Sequence, residues 1–364
     1  MLKKRWWLNN NMGRTKVLKV NTAIPEVDRI AEAAHIIRHG GLVIFPTETV
    51  YGIAADANNP EAIKRLMVVK HRSQDKRFSI LIPQRSILDN YTQYDKPDLF
   101  KLIDKYWPGP LTVIVPGKQP NETVGIRMPD HTVALKLVEQ SGCAVAAPSA
   151  NLEGKKPPTN VQEALEDLDG LVDLALDGGP VDFGISSTIV DFTKSKPTVT
   201  REGVISQPDV DRTVNRKSVL FVCTGNSCRS VMAEYLLRAK LKDRDDVEVS
   251  SAGTSVFFKT PASFETISVL RQRGIDAIGH QSRPVGRTML RKADLIIAMT
   301  RNHRMQVLDH VPLVEKRVYL LKEFSPHAIS ADIDVPDPIG QPHVQYEECL
   351  QTIEEAINKI VELL

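Results

Sequence analysis

The residues best placed to do chemistry together are Cys223 and Arg229, in the run Val219-Leu220-Phe221-Val222-Cys223-Thr224-Gly225-Asn226-Ser227-Cys228-Arg229-Ser230. Four apolar residues predict a short buried strand ending on the cysteine. The small polar residues after it, with one glycine, predict a tight loop, and Ser230 opens an amphipathic helix with Val231, Tyr235, Leu236 and Ala239 on one face. Such a loop at a helix N-terminus points its N–H groups inward and suits a phosphate-sized dianion. Converging N–H dipoles and Arg229 favour thiolate over thiol, which makes Cys223 a nucleophile at neutral pH. The planar fork of Arg229 can hold two phosphate oxygens into the transition state better than a lysine, and Ser230 can donate a hydrogen bond to the thiolate. A lone cysteine in a strand–helix turn is ordinarily a small buried residue. Cysteine, five residues, arginine and serine, set between strand and helix, are what point to catalysis.

A phosphocysteine route also needs an acid for the leaving group. Asp337-Pro338, inside Asp334-Val335-Pro336-Asp337-Pro338-Ile339-Gly340, is the candidate. Prolines stiffen that loop, and a carboxyl held beside a phosphate has its pKa raised enough to serve as acid and then as base for water. An Asp-Pro pair by itself reads as a turn.

The segment from Ser218 to Leu364 resembles the low-molecular-weight protein tyrosine phosphatases: Cys223 to Ser230, Ser251-Ala252-Gly253-Thr254, Ala298-Met299-Thr300-Arg301 and Asp337-Pro338 follow in order. The resemblance implies that Cys223 is the nucleophile, Arg229 the phosphate clamp, Asn226 and Ser230 loop organisers and Asp337 the general acid, acting on a phosphorylated protein. Two positions depart from that family's habit, Ser227 replacing an apolar residue and Ile339 an aromatic one. Without an aromatic wall, stacking on a phosphotyrosine ring weakens unless Phe257 or Phe258 supplies one. Ser227 is similar to the small hydroxyl residue of the family's arginine phosphatases, so phosphotyrosine and phosphoarginine both stand as substrates, with Ser227 in the substrate-binding set. Cys228 is either a small buried residue or, by the family's pattern, a partner for a reversible disulfide with Cys223. The same scaffold serves arsenate reductases, which need further downstream cysteines. The one later cysteine here is Cys349, on the apolar side of a terminal helix.

The elements that position such sites must come from a chain of 364 residues, enough for two domains with cores of their own. A formal net charge of +2 and 42% hydrophobic residues fit a soluble protein and draw it toward neither nucleic acid nor membrane. Four cysteines without zinc-like spacing fit a reducing compartment, no apolar run approaches a signal peptide or a membrane span, and a cytoplasmic protein follows. Met1 to Asn11 has no discernible pattern, and Met12 is an alternative start. The polar stretch with Gly203 and Pro208 suggests a boundary. The division expected is an N-terminal extension (1–22), a first domain (23–203), a linker (204–217) and a second domain (218–364).

In the first domain, Val27 to Arg38 reads as a helix with Ile30, Ala34 and Ile37 inward, stopped by Gly40-Gly41. The strand Leu42 to Phe45 runs into Pro46-Thr47-Glu48-Thr49-Val50-Tyr51-Gly52, whose hydroxyls and carboxylate line its end. The helix Pro60 to Lys70 delivers Lys70-His71-Arg72, then Lys76 and Arg77 before a strand at Ser79 to Ile82. So many cations imply a solvated face or an anion site. Strands at Leu111 to Val115, Val124 to Arg127 and Ala144 to Ala147, the last ending at Pro148-Ser149-Ala150-Asn151, bring hydroxyl and amide donors to the same cleft. Cations and neutral donors around a concavity describe a nucleotide triphosphate site without a Walker loop.

These motifs, with Arg127, Ser187-Thr188 and Arg201-Glu202-Gly203, resemble the threonylcarbamoyl-AMP synthases, or YrdC-like domains, from about Ala23 to Gly203. Members of that family join L-threonine, bicarbonate and ATP, release pyrophosphate, and feed a separate tRNA threonylcarbamoyl transferase. The resemblance implies that Arg72, Lys76, Ser149, Asn151 and Arg201 hold ATP, that Thr49, Arg127 and Ser187 hold threonine, and that Lys70 neutralises phosphate charge in the catalytic step. No dedicated metal site is read; Mg²⁺ would arrive with ATP. Leu81 stands where many long members have a polar residue, which puts one threonine contact in question.

The fold class expected is therefore α/β, with a YrdC-like twisted open sheet followed by a small doubly wound parallel sheet. Its strands fall at Val219, Val247, Leu295 and Val318, and Cys223 lies at a carboxyl end, where such sheets bind ligands. The function expected is a bifunctional enzyme. Two other readings are a phosphate-binding but idle second domain, and an RNA-binding first domain marked by salt-sensitive affinity.

Overall fold

The computed structural model describes residues 13–73, 77–325 and 333–364, so the expected ATP contact Lys76 lies outside the described residues. The chain divides into two compact units, one of Met1–Tyr94 and Lys105–Asp211, the other of Asp95–Asp104 and Arg212–Leu364. Among the described residues no helix is long and apolar enough to cross a membrane.

In the first unit a mixed sheet contains β1 (Lys16–Lys19), β2 (Val43–Phe45), β3 (Gly52–Asp56), β4 (Ile80–Leu81), β5 (Leu111–Pro116), β6 (Thr123–Arg127), β7 (Val145–Ala146), β8 (Leu174–Asp177), β9 (Thr188–Asp191) and β10 (Thr198–Arg201). Their spatial order is β1-β8-β2-β3-β7-β4-β6-β5-β9-β10. Helices α1 (Val27–Arg38), α2 (Pro60–Val69), α3 (Pro97–Tyr106), α4 (Thr132–Ser141), α5 (Val161–Leu168) and α6 (Gln207–Asn215) fall between and after these strands in sequence, with α3 mostly in the 95–104 stretch of the second unit and α6 running across the division at 211/212. The inner strands β2, β3, β7 and β8 are buried on both faces because helices cover both. One core joins Ile30, Ala34 and Ile37 of α1 to Ala134 and Leu137 of α4, and another joins Leu66 of α2 to Val161 and Leu168 of α5.

Local signals explain the element ends. Gly40, at φ 81°, takes the left-handed position that closes α1. Asn59 caps α2 by accepting from the amides of Glu61 and Ala62, with Pro60 in the first turn. Two elements fall outside the expected scheme. Strand β1 lies ahead of Ala23, pairing in parallel with β8 from Lys16↔Leu174 to Lys19↔Asp177, so the sheet begins inside the expected extension. Helix α6 occupies the expected linker. Ser206 and Asp209 form its capping pair, and Val210 is its one buried residue, too few apolar positions for a periodicity to be read.

The second unit has the expected four parallel strands, β11 (Lys217–Cys223), β12 (Val247–Gly253), β13 (Leu295–Ala298) and β14 (Val318–Leu320), in the order β12-β11-β13-β14. Helices α7 (Arg229–Lys240), α8 (Phe264–Gln272), α9 (Arg287–Lys292), α10 (Arg301–His310) and α11 (His343–Leu363) accompany them. Buried residues of α7, α8 and α11 form one core with β11, and α9 and α10 contribute to a second. The inward face of α7 differs from the expected one. Met232, Ala233 and Leu237 are buried while Ala239 is exposed, because packing encloses residues 229–234 all round and little of the last turn.

Candidate active sites

In the second unit the site grows from the carboxyl end of β11, an inner strand between β12 and β13. Val219 to Val222 are buried on both faces, which holds Cys223 in place opposite Gly253 of β12. Residues 224–228 form the loop, and Arg229 and Ser230 are the first residues of α7, so the unpaired N–H groups of that helix end face the loop. Asn226 is held in the left-handed region at φ 51°, a conformation that a non-glycine residue keeps only when its surroundings fix it. Its Nδ2 donates to Ser230 Oγ at 3.0 Å and Ser251 Oγ at 2.7 Å, its Oδ1 accepts from Arg283 N at 3.0 Å, and its carbonyl accepts from His280 Nε2 at 2.9 Å.

The result is a polarised cluster around the sulfur. Cys223 Sγ lies 2.9 Å from Ser230 Oγ and accepts from Asn226 N at 3.3 Å. Because Ser230 Oγ already accepts from Asn226 Nδ2, its own proton is free to point at the sulfur and stabilise a thiolate. Arg229 Nη2 meets Asp337 Oδ2 at 2.5 Å, and Nη1 donates to the Val335 carbonyl at 3.1 Å, which brings the expected acid to the expected clamp. The Arg229 side chain is 5% exposed and that of Asp337 42%, so the carboxylate is the solvent-facing half of the pair. Gly253 is required by closeness: an added Cβ would sit 2.5 Å from Thr224 O and 2.9 Å from Asn226 N.

Ser227 is half-buried, and its carbonyl accepts from Ser263 N at 3.0 Å. Cys228 is a buried free thiol, 3.4 Å from Ser263 Oγ. Phe257 and Phe258 are 87% and 82% exposed, on a stretch whose start is bonded to the loop through Thr254 N to Cys223 O and Ser255 N to Thr224 O. Cys349 is buried on α11 as expected, and burial pushes its thiol up to about 12, out of reach of thiolate chemistry at neutral pH.

Three polar neighbours of this site, Arg283, Glu234 and His303, escaped sequence reasoning, and Ser251 was read only as part of a family motif. Ser251 and Arg283 secure Asn226, and Glu234 accepts from Ser251 Oγ while buried in α7, paired to Arg238 at 2.6 Å. Glu234 follows Ser230 by one helical turn, a spacing that could have suggested a shared face. His303 lies between Thr224 Oγ1 and Thr300 Oγ1, at 2.8 and 2.9 Å; burial, then the Arg229 charge, push its pKa down to about 4. Nothing in its sequence context marks it.

In the first unit, helix α2 ends in a Schellman geometry, with His71 N bonded to Val68 O and Arg72 N to Met67 O. His71 takes the left-handed position at φ 53°, usually left to glycine, and this sharp exit separates Lys70 from Arg72. The ammonium of Lys70, 3% exposed, donates to the carbonyls of Ser149 and Asn151 at 2.5 and 2.6 Å, so the two paired motifs meet physically. Burial, and then the Arg72 charge, push the Lys70 pKa down to about 8.

Arg127, the last residue of β6, donates from Nη2 to Glu48 Oε1 and Thr49 Oγ1, both at 2.8 Å. Thr47 shapes that turn: its hydroxyl donates to Val50 O at 2.6 Å and accepts from the amides of Thr49 and Val50. Arg201 binds the Ser187 carbonyl through Nε and Nη2 and the Ser187 hydroxyl at 3.0 Å; that hydroxyl also meets Thr112 Oγ1 at 2.8 Å. Burial lowers the Arg201 pKa, and the charges of Arg127 and Arg72 add to it, so three guanidiniums repel one another across one region. Asn151 Oδ1 and Arg72 Nε are buried there without partners among the described residues. Concentrated positive charge around the orphaned Arg72 donor is what a bound polyanion would complete, while the Asn151 oxygen calls for a donor such as a hydroxyl or an amine. Leu81 is 4% exposed and packs in the core with α1 and α4, which explains why an apolar residue is kept there.

Each half of the chain matches a known family. The Sua5/YciO/YrdC family, which carries the description "telomere recombination", matches residues 35–203, and the low molecular weight phosphotyrosine protein phosphatase family matches residues 218–364. The chain is a fusion of members of these two families. A threonylcarbamoyl-AMP synthase of Bacillus subtilis is 37% identical over 59% of the fusion chain, which spans 62% of that relative's own length. A protein-arginine-phosphatase of Geobacillus stearothermophilus is 34% identical over 40% of the fusion chain and 95% of its own. Among solved structures, P. abyssi Sua5 complexed with L-threonine is 26% identical with a TM-score of 0.53, covering 84% of the fusion chain and 99% of its own.

Proposed function

We propose that the fusion is a bifunctional cytoplasmic enzyme whose first unit makes threonylcarbamoyl-AMP from L-threonine, bicarbonate and ATP, for a downstream tRNA threonylcarbamoyl transferase. The observation that carries this is the buried Arg127 between Glu48 and Thr49, within electrostatic range of Arg201, which also feels Arg72, the charge that acts on Lys70 in its contact with Ser149 and Asn151. Arg127, Thr49 and Ser187 hold the amino acid, and Arg72, Ser149, Asn151 and Arg201 hold ATP. Carboxylated threonine attacks the α-phosphorus and pyrophosphate leaves, while Lys70 and Arg72 stabilise the charge that develops. Among the described residues no group of three or more His, Cys, Asp or Glu side chains could hold a metal ion, so Mg²⁺ accompanying ATP would take its ligands mainly from phosphate and water.

The second unit is a phosphatase of phosphorylated proteins. The Cys223 thiolate attacks phosphorus while Arg229 follows the equatorial oxygens, and Asp337 protonates the leaving group. Water then hydrolyses the phosphocysteine, with Asp337 taking its proton. Phosphotyrosine accords with the matched family's description. Phosphoarginine accords with the Geobacillus stearothermophilus relative's name and with the half-buried hydroxyl residue Ser227 in the loop. Single-turnover phosphate release from matched phosphotyrosine and phosphoarginine peptides decides between them. Pyrophosphate release that requires both threonine and bicarbonate tests the first unit. Cys223→Ser should abolish phosphate release and leave pyrophosphate release intact; a folded variant that lost both activities would sink the independence of the two sites.

A further inference from the structure

The ion pair between Arg127 and Glu48 is only half satisfied. Their side chains are 9% and 4% exposed and joined at 2.8 Å, yet Glu48 Oε2 and Arg127 Nε have no hydrogen-bond partner among the described residues. Leaving such groups buried and unpaired is costly, the more so where they are charged. A pair that served structure alone would be expected to close on itself. A third orphan lies nearby. His131 Nδ1 also lacks a partner, and burial lowers the pKa of that ring while the Glu48 charge acts to raise it, which places Glu48 within its electrostatic range.

The open positions are an anionic acceptor beside a cationic donor. Their complement is a small zwitterion, with an ammonium and a carboxylate on neighbouring atoms. We propose that Glu48 recognises the α-nitrogen of the amino-acid substrate, Oε2 accepting an N–H from it while Arg127 takes the α-carboxylate. This rests on the synthase reading of the unit and goes beyond it by assigning Glu48 a ligand contact. Carboxylation leaves one N–H on that nitrogen, so the same oxygen serves before and after the bond to carbon forms. If Glu48 served only to orient Arg127, its loss would weaken every carboxylate ligand alike.

The test uses the full chain and calorimetric binding of two acids, L-threonine and 3-hydroxybutanoate, which is threonine without its amino group. Wild type should prefer threonine at least about tenfold, the range expected when a buried acceptor loses its donor. Glu48→Gln should cut the preference to about threefold or less while affinity for 3-hydroxybutanoate stays within about twofold. Unchanged ATP binding reports an intact fold, and if Glu48→Gln fails that check, Glu48→Asp decides, since its retained charge should keep part of the preference. Equal weakening of both acids in a folded variant overturns the proposal, as does a wild type that binds threonine without preferring it. A wild type that binds no threonine overturns the proposal together with the synthase reading.

Discussion

Raising the pH from about 7 to about 9 is expected to weaken ATP binding about tenfold through a single side chain, Lys70. In the free protein, burial and the neighbouring Arg72 push its ammonium down to about 8 from an ordinary 10.5. A triphosphate docked there brings negative charge and pulls the value back up, so the protonated form is the one that binds. With a free value near 8, about nine-tenths of molecules hold the proton at pH 7 and about one-tenth at pH 9, a tenfold loss of binding-competent protein worth about 1.4 kcal/mol. Titrating ATP calorimetrically in buffers of different ionisation heat counts the protons taken up, about 0.1 at pH 7 and approaching one at pH 9. Lys70→Met should bind ATP more weakly at pH 7 and show no such dependence. A wild-type affinity that is flat across this range, with no proton uptake, would refute the reasoning: either Lys70 keeps its proton throughout or the phosphates do not reach it. The same displacement makes folding stability rise between pH 8 and 10.5, because the folded state releases this proton before the unfolded chain does.

Ser230→Ala removes the hydroxyl 2.9 Å from Cys223 Sγ, a bond worth about 1.5–3 kcal/mol to a charged acceptor. Single-turnover attack on a phosphopeptide at pH 7 should therefore slow by about 10- to 150-fold, and an unchanged rate would mean that the loop amides alone hold the attacking sulfur. Gly253→Ala places a methyl 2.5 Å from Thr224 O, and the displaced loop should lower phosphatase kcat by about 10²-fold with the fold retained. A fully active variant would show that the loop yields without cost. Asp337→Asn should slow release from a phosphopeptide by about 10²–10⁴-fold, yet slow p-nitrophenyl phosphate far less, since that leaving group needs no proton. Equal losses on both substrates would assign Asp337 to positioning Arg229 instead.

The parts of the sites readable in advance were those whose chemistry is local. Cys223, Arg229 and Ser230 fall within one strand, loop and helix start, where strand burial and helix geometry dictate position. Asp337 was readable as a candidate because prolines flank it, though only the fold brings its carboxylate to Arg229. Lys70 and Arg72 were legible as a cluster of cations, but not the left-handed His71 that separates them, since glycine is the usual signal for that turn. The strand ahead of Ala23 and the helix across 207–215 were missed for a common reason: each has too few apolar residues for a periodicity to stand out.

Order along the chain was enough to establish the two kinds of unit and the parallel sheet of the second, and to single out the cysteine proposed as its nucleophile, because these follow from periodicity and from motifs confined to a few turns. Partnerships between distant residues were decided by packing. Glu48 meets Arg127 across 79 positions and Arg229 meets Asp337 across 108. Arg201 feels the charges of Arg127 and Arg72, and Glu234 supports Asn226 through Ser251. A buried polar group must find a partner wherever the fold brings one, and that choice is written in the arrangement of the sheets and helices, not in the spacing of the residues.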